Sequence, residues 1–190
     1  MEGEVLLKEI RIHGRGGQGA VTAAQLLAHA AFLEGKWVQA FPHFGAERRG
    51  APVKAFARIG DESIRVASQI YNPDYVIVLG PNLYKIVDVT EGLKSGGVVL
   101  MNTTKRPNEM CVEGWRIATV DATGIALELD LLVAGLPVVN TSILGAFAKV
   151  TGEVELKSVL TAINKAWSGT VKEKNVRAAE LAYERLIKGW

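Results

Sequence analysis

The run Gly14-Arg15-Gly16-Gly17-Gln18-Gly19 carries the densest chemical information in the sequence. It matches GxGxxG at Gly14, Gly16 and Gly19. A loosely alternating stretch over 8–13 precedes it, and an Ala- and Leu-rich stretch over 20–34 follows it. The glycines therefore join a first strand to a first helix. In that setting one glycine permits a tight turn, one lets a ligand approach the backbone, and one lets helix pack on strand. Amides at the helix start favour an anion. Arg15 offers a charge-assisted contact to phosphate or carboxylate. Gly14, Arg15, Gly16, Gly17, Gln18 and Gly19 are thus candidate cofactor-binding residues. A nicotinamide dinucleotide would also want an acid at the end of the second strand, for the ribose hydroxyls. That position falls near Phe41-Pro42-His43, and Glu34 lies too early, inside the helix. The Gly-Lys-Ser/Thr of a nucleoside triphosphate loop is absent as well. Phosphate or pyrophosphate binding, a surface for a partner chain, and a purely structural turn all stay open at this point.

The stretch 41–52 is the second unusual feature. Phe44, Glu47, Arg48 and Arg49 combine an aromatic ring with charge, as interfaces do more often than solvated loops. They follow the second strand, which places them beside the glycine turn at the carboxyl edge of the sheet, where ligands of open α/β folds bind. They form a candidate partner or active-site loop; a flexible charged loop is the plain alternative. No catalytic centre is evident. His13, His29 and His43 are the three histidines, and none has an acid and a nucleophile beside it in sequence. Cys111 sits between Glu109 and Glu113, whose charges raise rather than lower a thiol pKa.

Composition sets the frame for these sites. The chain has 190 residues, enough for about one domain, and an apolar fraction of 48% that can fill a core. One cysteine excludes an internal disulfide and any zinc or iron–sulfur centre ligated by cysteines of this chain alone. No metal site is expected. Twenty-two basic against 20 acidic residues give a net charge of +2, which makes no case for nucleic acid. The acidic start and the lack of any run near ~18 apolar residues point to a soluble, cytoplasmic chain without a membrane span.

The elements that must hold the turn read as alternating strands and helices. Strands are expected at 8–13, 36–41, 74–80, 97–102 and 116–120, with a short helix at 82–87. Runs at 52–59 and 63–68 around Gly60-Asp61 suggest a hairpin. Asp121 or Thr123 can cap a helix reaching about residue 134. Asn140, Thr141 and Ser142 offer caps for a helix over 143–150, followed by helices at 156–167 and 173–188. In the last, Val176, Ala179, Tyr183 and Leu186 share a face, and Glu173–Arg177 and Glu184–Lys188 are spaced for ion pairs. The fold class is α/β: one domain spanning 1–190, a mixed, mostly parallel sheet covered on both sides by helices, and a helical C-terminal third.

Four blocks take the reading further. Ile12-His13-Gly14-Arg15-Gly16-Gly17-Gln18-Gly19-Ala20-Val21 and Phe44-Gly45-Ala46-Glu47-Arg48-Arg49-Gly50-Ala51-Pro52 closely resemble the gamma subunits of pyruvate/2-ketoisovalerate ferredoxin oxidoreductases. Asp121-Ala122-Thr123 and the run from Pro137 through Asn140, Thr141 and Gly145 to Ala146 match later blocks of that family. The resemblance implies one piece of a multi-subunit enzyme that oxidatively decarboxylates a 2-oxo acid, pyruvate by default. The acyl group passes to coenzyme A and the electrons to ferredoxin. It implies alpha, beta and delta partner chains, with thiamine diphosphate and the iron–sulfur clusters held by those partners. The chain's role is then accessory: its glycine turn helps bind coenzyme A or close the active site. Asn140 and Thr141 present a second capped helix end, and Arg48 and Arg49 meet acidic groups or phosphate. The alternatives are a scaffolding subunit of the same complex and a stand-alone NAD(P)-dependent oxidoreductase.

Overall fold

The computed structural model describes residues 6–43, 51–110 and 114–190. Its centre is a seven-stranded sheet in the order β2-β3-β1-β4-β5-β6-β9. The strands are β1 (Leu7–Arg15), β2 (Trp37–His43), β3 (Pro52–Gly60), β4 (Tyr75–Val78), β5 (Val98–Asn102), β6 (Arg116–Val120) and β9 (Ile187–Lys188). β1, β4, β5 and β6 pair in parallel, and β3 lies antiparallel between β1 and β2. β2 therefore runs with β1, and only β3 and β9 oppose the common direction. The sheet is mixed and mostly parallel, as expected. A separate small hairpin joins β7 (Leu132–Val133) to β8 (Leu136–Pro137).

Strand alternation sorts the core into two layers. Ile10, Ile12, Ile77, Leu79, Leu100 and Val120 face one side and pack against helices. Those helices are α1 (Ala20–Leu33), α2 (Ala122–Glu128), α3 (Asn140–Thr151), α4 (Leu156–Ala166) and α5 (Gly169–Arg185). Val76, Val78, Val99 and Met101 face the other side, against Leu83, Val89, Leu93 and Met110. The expectation of helices on both faces is thus corrected: all five gather on one. The reason lies in the β4–β5 connection, where Asp88 Oδ1 accepts from the Thr90 amide at 2.9 Å, a local bond that competes with a helix, so Leu83, Val89 and Leu93 pack on this face from irregular chain. The helix expected at 82–87 is a single 3-10 turn, Leu83–Lys85. Among the described residues no helix is long and apolar enough to cross a membrane.

Three further expectations change. The run 63–68 forms no strand, and β3 instead makes its hairpin with β2, from Trp37 opposite Gly60 to His43 opposite Lys54. Arg58 explains this, because its buried guanidinium donates to the carbonyls of Val66 (3.3 Å) and Ser68 (2.7 Å). A side chain thereby takes acceptors that a ladder would have used. The helix capped by Asp121, which accepts from the Gly124 amide at 2.8 Å, stops at Glu128. Left-handed backbone at Asp130, Ala134 and Gly135 turns the next residues into the β7–β8 hairpin. The last helix begins at Gly169 and ends at Arg185, so Ile187 and Lys188 join the sheet edge beside β6. Arg177 pairs with Glu180 (3.2 Å) and Glu184 (3.9 Å) in place of the expected Glu173 and Lys188 pairings. Ala179 is buried, and Val176, Tyr183 and Leu186 pack on the same core as expected.

Candidate functional site

The glycine run closes β1 and opens α1 at the carboxyl edge of the sheet, where the sequence placed it. Gly14 still pairs in the sheet, opposite Val53. A Cβ there would sit 3.3 Å from Ala20 Cβ and 3.4 Å from Leu79, so the missing side chain lets helix and strand approach. Residues 15–18 make a tight turn: the Gln18 amide donates to Arg15 O at 2.9 Å, and the Arg15 amide donates to Gln18 Oε1 at 2.8 Å. The Gln18 side chain thus braces the turn from inside. The Gly16 amide donates to Ala51 O at 3.0 Å, tying the turn to the start of β3. Gly17 (φ 95°) and Gly19 (φ 80°) are left-handed, which is the conformation that requires glycine. α1 makes its first bond from the Ala23 amide to Gly19 O, so the amides before it have no partner within the helix.

The second sequence block meets this turn in space. Asn140 opens α3 and is only 4% exposed. Its Oδ1 accepts from the Thr141 amide at 2.8 Å. Its Nδ2 would lie 2.7 Å from a Cβ at position 19, so the starts of α1 and α3 touch through Gly19. Gly17, Gly19 and Asn140 line one cleft of about 380 Å³. Arg15, Gly16 and Gln18 form the turn behind it. Thr141 does not join them: it is fully buried, and its hydroxyl donates to Asn175 Oδ1 at 2.8 Å. It holds α3 against α5, so its contribution is positional. Phe44, Glu47, Arg48 and Arg49 lie outside the described residues.

The far wall was missed from sequence. Thr170, Val171, Lys174 and Asn175 come from the first turns of α5, and Trp167 from the end of α4. Ser168-Gly169 reads in sequence as the stop of one helix, and equally serves as the start of the next. Lys174 Nζ lies 3.1 Å from Asp130 Oδ2 and donates to Asp130 O at 3.0 Å. Among the described residues no three metal-ligating side chains gather.

Behind the turn, β1 carries a buried basic pair. Arg11 Nε donates to His13 Nε2 at 3.0 Å, and its Nη2 donates to both Val89 O and Glu91 O. Burial, helped by the Arg11 and Lys54 cations, pushes the His13 imidazole down to about 3. His13 is therefore a neutral acceptor that fixes Arg11. The unfolded chain takes up this proton near the usual ~6.5 and the folded chain only near 3, so stability present above that range is lost as pH falls between them. The expected slope from this residue is up to about 1.4 kcal/mol per pH unit. Urea unfolding of the chain and of His13→Gln at pH 7, 5.5 and 4.5 measures it; an equal slope in both proteins would refute the assignment.

The model of the pyruvate ferredoxin/flavodoxin oxidoreductase family matches residues 9–185. The chain belongs to that family. Over 183 residues it is 58% identical to the pyruvate/ketoisovalerate oxidoreductases common subunit gamma of Thermococcus kodakarensis, covering 94% of this chain and 97% of that one. The crystal structure of pyruvate oxidoreductase subunit PORC from Thermotoga maritima superposes with a TM-score of 0.83 at 40% identity, over 97% of this chain and 99% of that one. A 2-oxoglutarate:ferredoxin oxidoreductase from Magnetococcus marinus shares the fold, with a TM-score of 0.74 at 18% identity, over 95% of this chain and 32% of that one. The resemblance carried by the glycine turn and the later blocks therefore holds. This member of the pyruvate ferredoxin/flavodoxin oxidoreductase family is a gamma-type subunit of an oxidoreductase complex. The family's glycine block and its block around Asn140 are one physical unit, because they meet at Gly19.

Proposed function

We propose that this gamma-type chain serves a 2-oxoacid:ferredoxin oxidoreductase, with pyruvate as substrate, by lending its carboxyl sheet edge to coenzyme A. The complex converts a 2-oxo acid and coenzyme A to acyl-coenzyme A and carbon dioxide, and two electrons leave through ferredoxin. The observation that carries the reading is the meeting of the glycine turn with Asn140 in one cleft. The edge supplies amide donors without the acid that would select a nicotinamide ribose. In support, the Magnetococcus marinus enzyme of the same fold holds 2-oxoglutarate, coenzyme A and succinyl-coenzyme A.

The chain's own residues fit no thiamine diphosphate site: Gly60-Asp61-Glu62 closes β3 as a turn and leads into no GDG…N pattern. With a single cysteine the chain cannot ligate a cluster alone. Thiamine diphosphate and clusters are accordingly assigned to alpha, beta and delta partners, in a cytoplasmic assembly. What this chain does is bind and orient. The glycines keep side chains out of the approach, and Arg15 meets a phosphate of coenzyme A. Arg15→Ala in the assembled enzyme is expected to raise the KM for coenzyme A about 5- to 10-fold with assembly intact, as loss of one charge-assisted bond implies. An unchanged KM with intact assembly would remove Arg15 from the site.

A scaffolding role is the second reading. It is favoured by the exposed apolar hairpin at the cleft rim, where Leu132, Val133 and Leu136 face solvent. It expects Leu136→Asp to disrupt co-elution with partner subunits in size-exclusion chromatography, and Arg15→Ala to leave the KM untouched.

A further inference from the structure

A second cleft opens where β6 loses its outer neighbour. β9 pairs only with Ala118 and Thr119, so among the described residues no strand covers the outer edge of β6 beyond Thr119. The cleft, about 330 Å³, lies between the ends of β5 and β6, α2 and the chain entering β9. It shares no lining residue with the cleft at Gly19.

Thr119 lines it and is 1% exposed, and its Oγ1 has no hydrogen-bond partner among the described residues. A buried hydroxyl without a partner is disfavoured, and in a native fold it calls for one. The sheet fixes this residue in register between Met101 and Ile187. A β-branched side chain has little rotamer freedom there, so the hydroxyl cannot swing out to water.

The charges around it sort into one closed pair and two open groups. Arg185 Nη1 and Nη2 donate to Glu128 at 2.7 and 3.2 Å, which commits both residues to each other. Lys105 forms no ion pair among the described residues, and its amide donates to Thr103 Oγ1 at 3.2 Å, which anchors it at the end of β5. Asp121 caps α2 through Oδ1, 2.8 Å from the Gly124 amide. Its Oδ2 accepts nothing among the described residues, and a Cβ on Gly124 would overlap it, so the glycine leaves that oxygen its place at the wall. What remains is one ammonium, one carboxylate oxygen and one buried hydroxyl, beside the apolar Ile125 and Ile187. A simple anion would meet Asp121 and Glu128, and a simple cation would meet Lys105 and Arg185. A molecule carrying both signs can meet each with its opposite.

We infer that this cleft binds a small α-amino acid with an apolar side chain. The ligand's carboxylate takes Lys105 Nζ and the Thr119 hydroxyl, its ammonium takes Asp121 Oδ2, and its side chain packs on Ile125 and Ile187. This goes beyond the coenzyme A reading and does not rest on it.

The test is calorimetric titration of the full chain with L-leucine, for which saturable binding with a dissociation constant of about 1 mM is expected. Thr119→Val keeps the shape and removes the hydroxyl. It is expected to unfold at a midpoint no lower than the parent, since the lost group had no partner, and to bind leucine at least about fivefold more weakly. Lys105→Met, at an exposed position, should lose affinity to a similar degree. Asp121→Asn keeps an acceptor for the Gly124 amide and should do the same. 4-Methylpentanoate lacks the ammonium and 3-methylbutylamine lacks the carboxylate, so each should bind at least about tenfold more weakly than leucine. No saturable binding, equal affinity in the parent and the folded variants, or 4-methylpentanoate binding as tightly as leucine overturns the inference. A lowered midpoint for Thr119→Val would show its hydroxyl already satisfied, and would overturn it as well.

Discussion

Gly145→Ala is expected to destabilise the fold by about 3 kcal/mol or more, although alanine is intrinsically the better helix residue by about 1 kcal/mol. The sign reverses because α3 and α5 cross at this point with backbone against backbone. A Cβ at Gly145 would overlap the carbonyl oxygen of Ala179 and lie 2.6 Å from its carbonyl carbon and 2.9 Å from its Cα. These are main-chain atoms on the buried face of α5, so relief requires α5 to move bodily. Ala146, Ala178 and Ala182 around the crossing are also fully buried, which leaves no slack to absorb the shift. Movement of α5 would also stretch the Thr141–Asn175 hydrogen bond and carry Thr170, Val171 and Lys174 away from the glycine turn. The variant should therefore lose stability in urea, and Gly145→Val should fail to fold. An alanine variant as stable as the parent would mean that the two helices are not in contact here.

Arg58→Met should cost about 3–5 kcal/mol, as expected when one partner of a buried charge network is removed. Arg58 is 1% exposed and sits at the hub of four hydrogen bonds: to Glu9 Oε1 (2.9 Å), Gln39 Oε1 (3.2 Å), Val66 O and Ser68 O. Its guanidinium also lies 5.3 Å from the Phe41 ring centroid. Methionine fills much of the volume but returns none of the donors, so among the described residues Glu9 keeps as ion-pair partner the more distant Lys94 at 3.9 Å. The local effect should exceed the global one. The 61–70 segment is secured largely by Arg58 and by Gln39 Nε2 donating to Ile64 O, so trypsin should cut after Arg65 well before global unfolding. Arg58→Lys lacks the planar fork and should rescue only part of the loss. Equal trypsin resistance in parent and variant would show that the segment is held by something else.

These two residues also show where the sequence was and was not readable. The glycine turn was legible because glycine density between a strand pattern and a helix pattern has few other meanings. The later block ending in Gly145-Ala146 was legible as a resemblance, but its physical content, a helix crossing with no room for a Cβ, needed α5 in place. Arg58 gave no signal at all. A charged residue within a strand reads as solvent-facing, and the network that buries it draws on residues as distant as Glu9 and Ser68. The one-sided helical layer was hidden for another reason. Apolar runs such as 75–79 report burial on both faces, and do not say what does the burying. Of the residues lining the cleft, Gly17, Gly19 and Asn140 were singled out from sequence, whereas the α5 wall was not, because Thr170, Lys174 and Asn175 form no motif among themselves.

The contact between Gly19 and Asn140 spans two-thirds of the chain and has a consequence in time. During synthesis the glycine turn emerges early, beside β1 and α1, while α3 and α5 leave the ribosome last. Until they dock, the turn has no opposite wall and Asn140 has no place against it. The cleft is thus a property of the finished polypeptide alone. A chain that stops before α5 would lack the wall formed by Thr170, Val171 and Lys174.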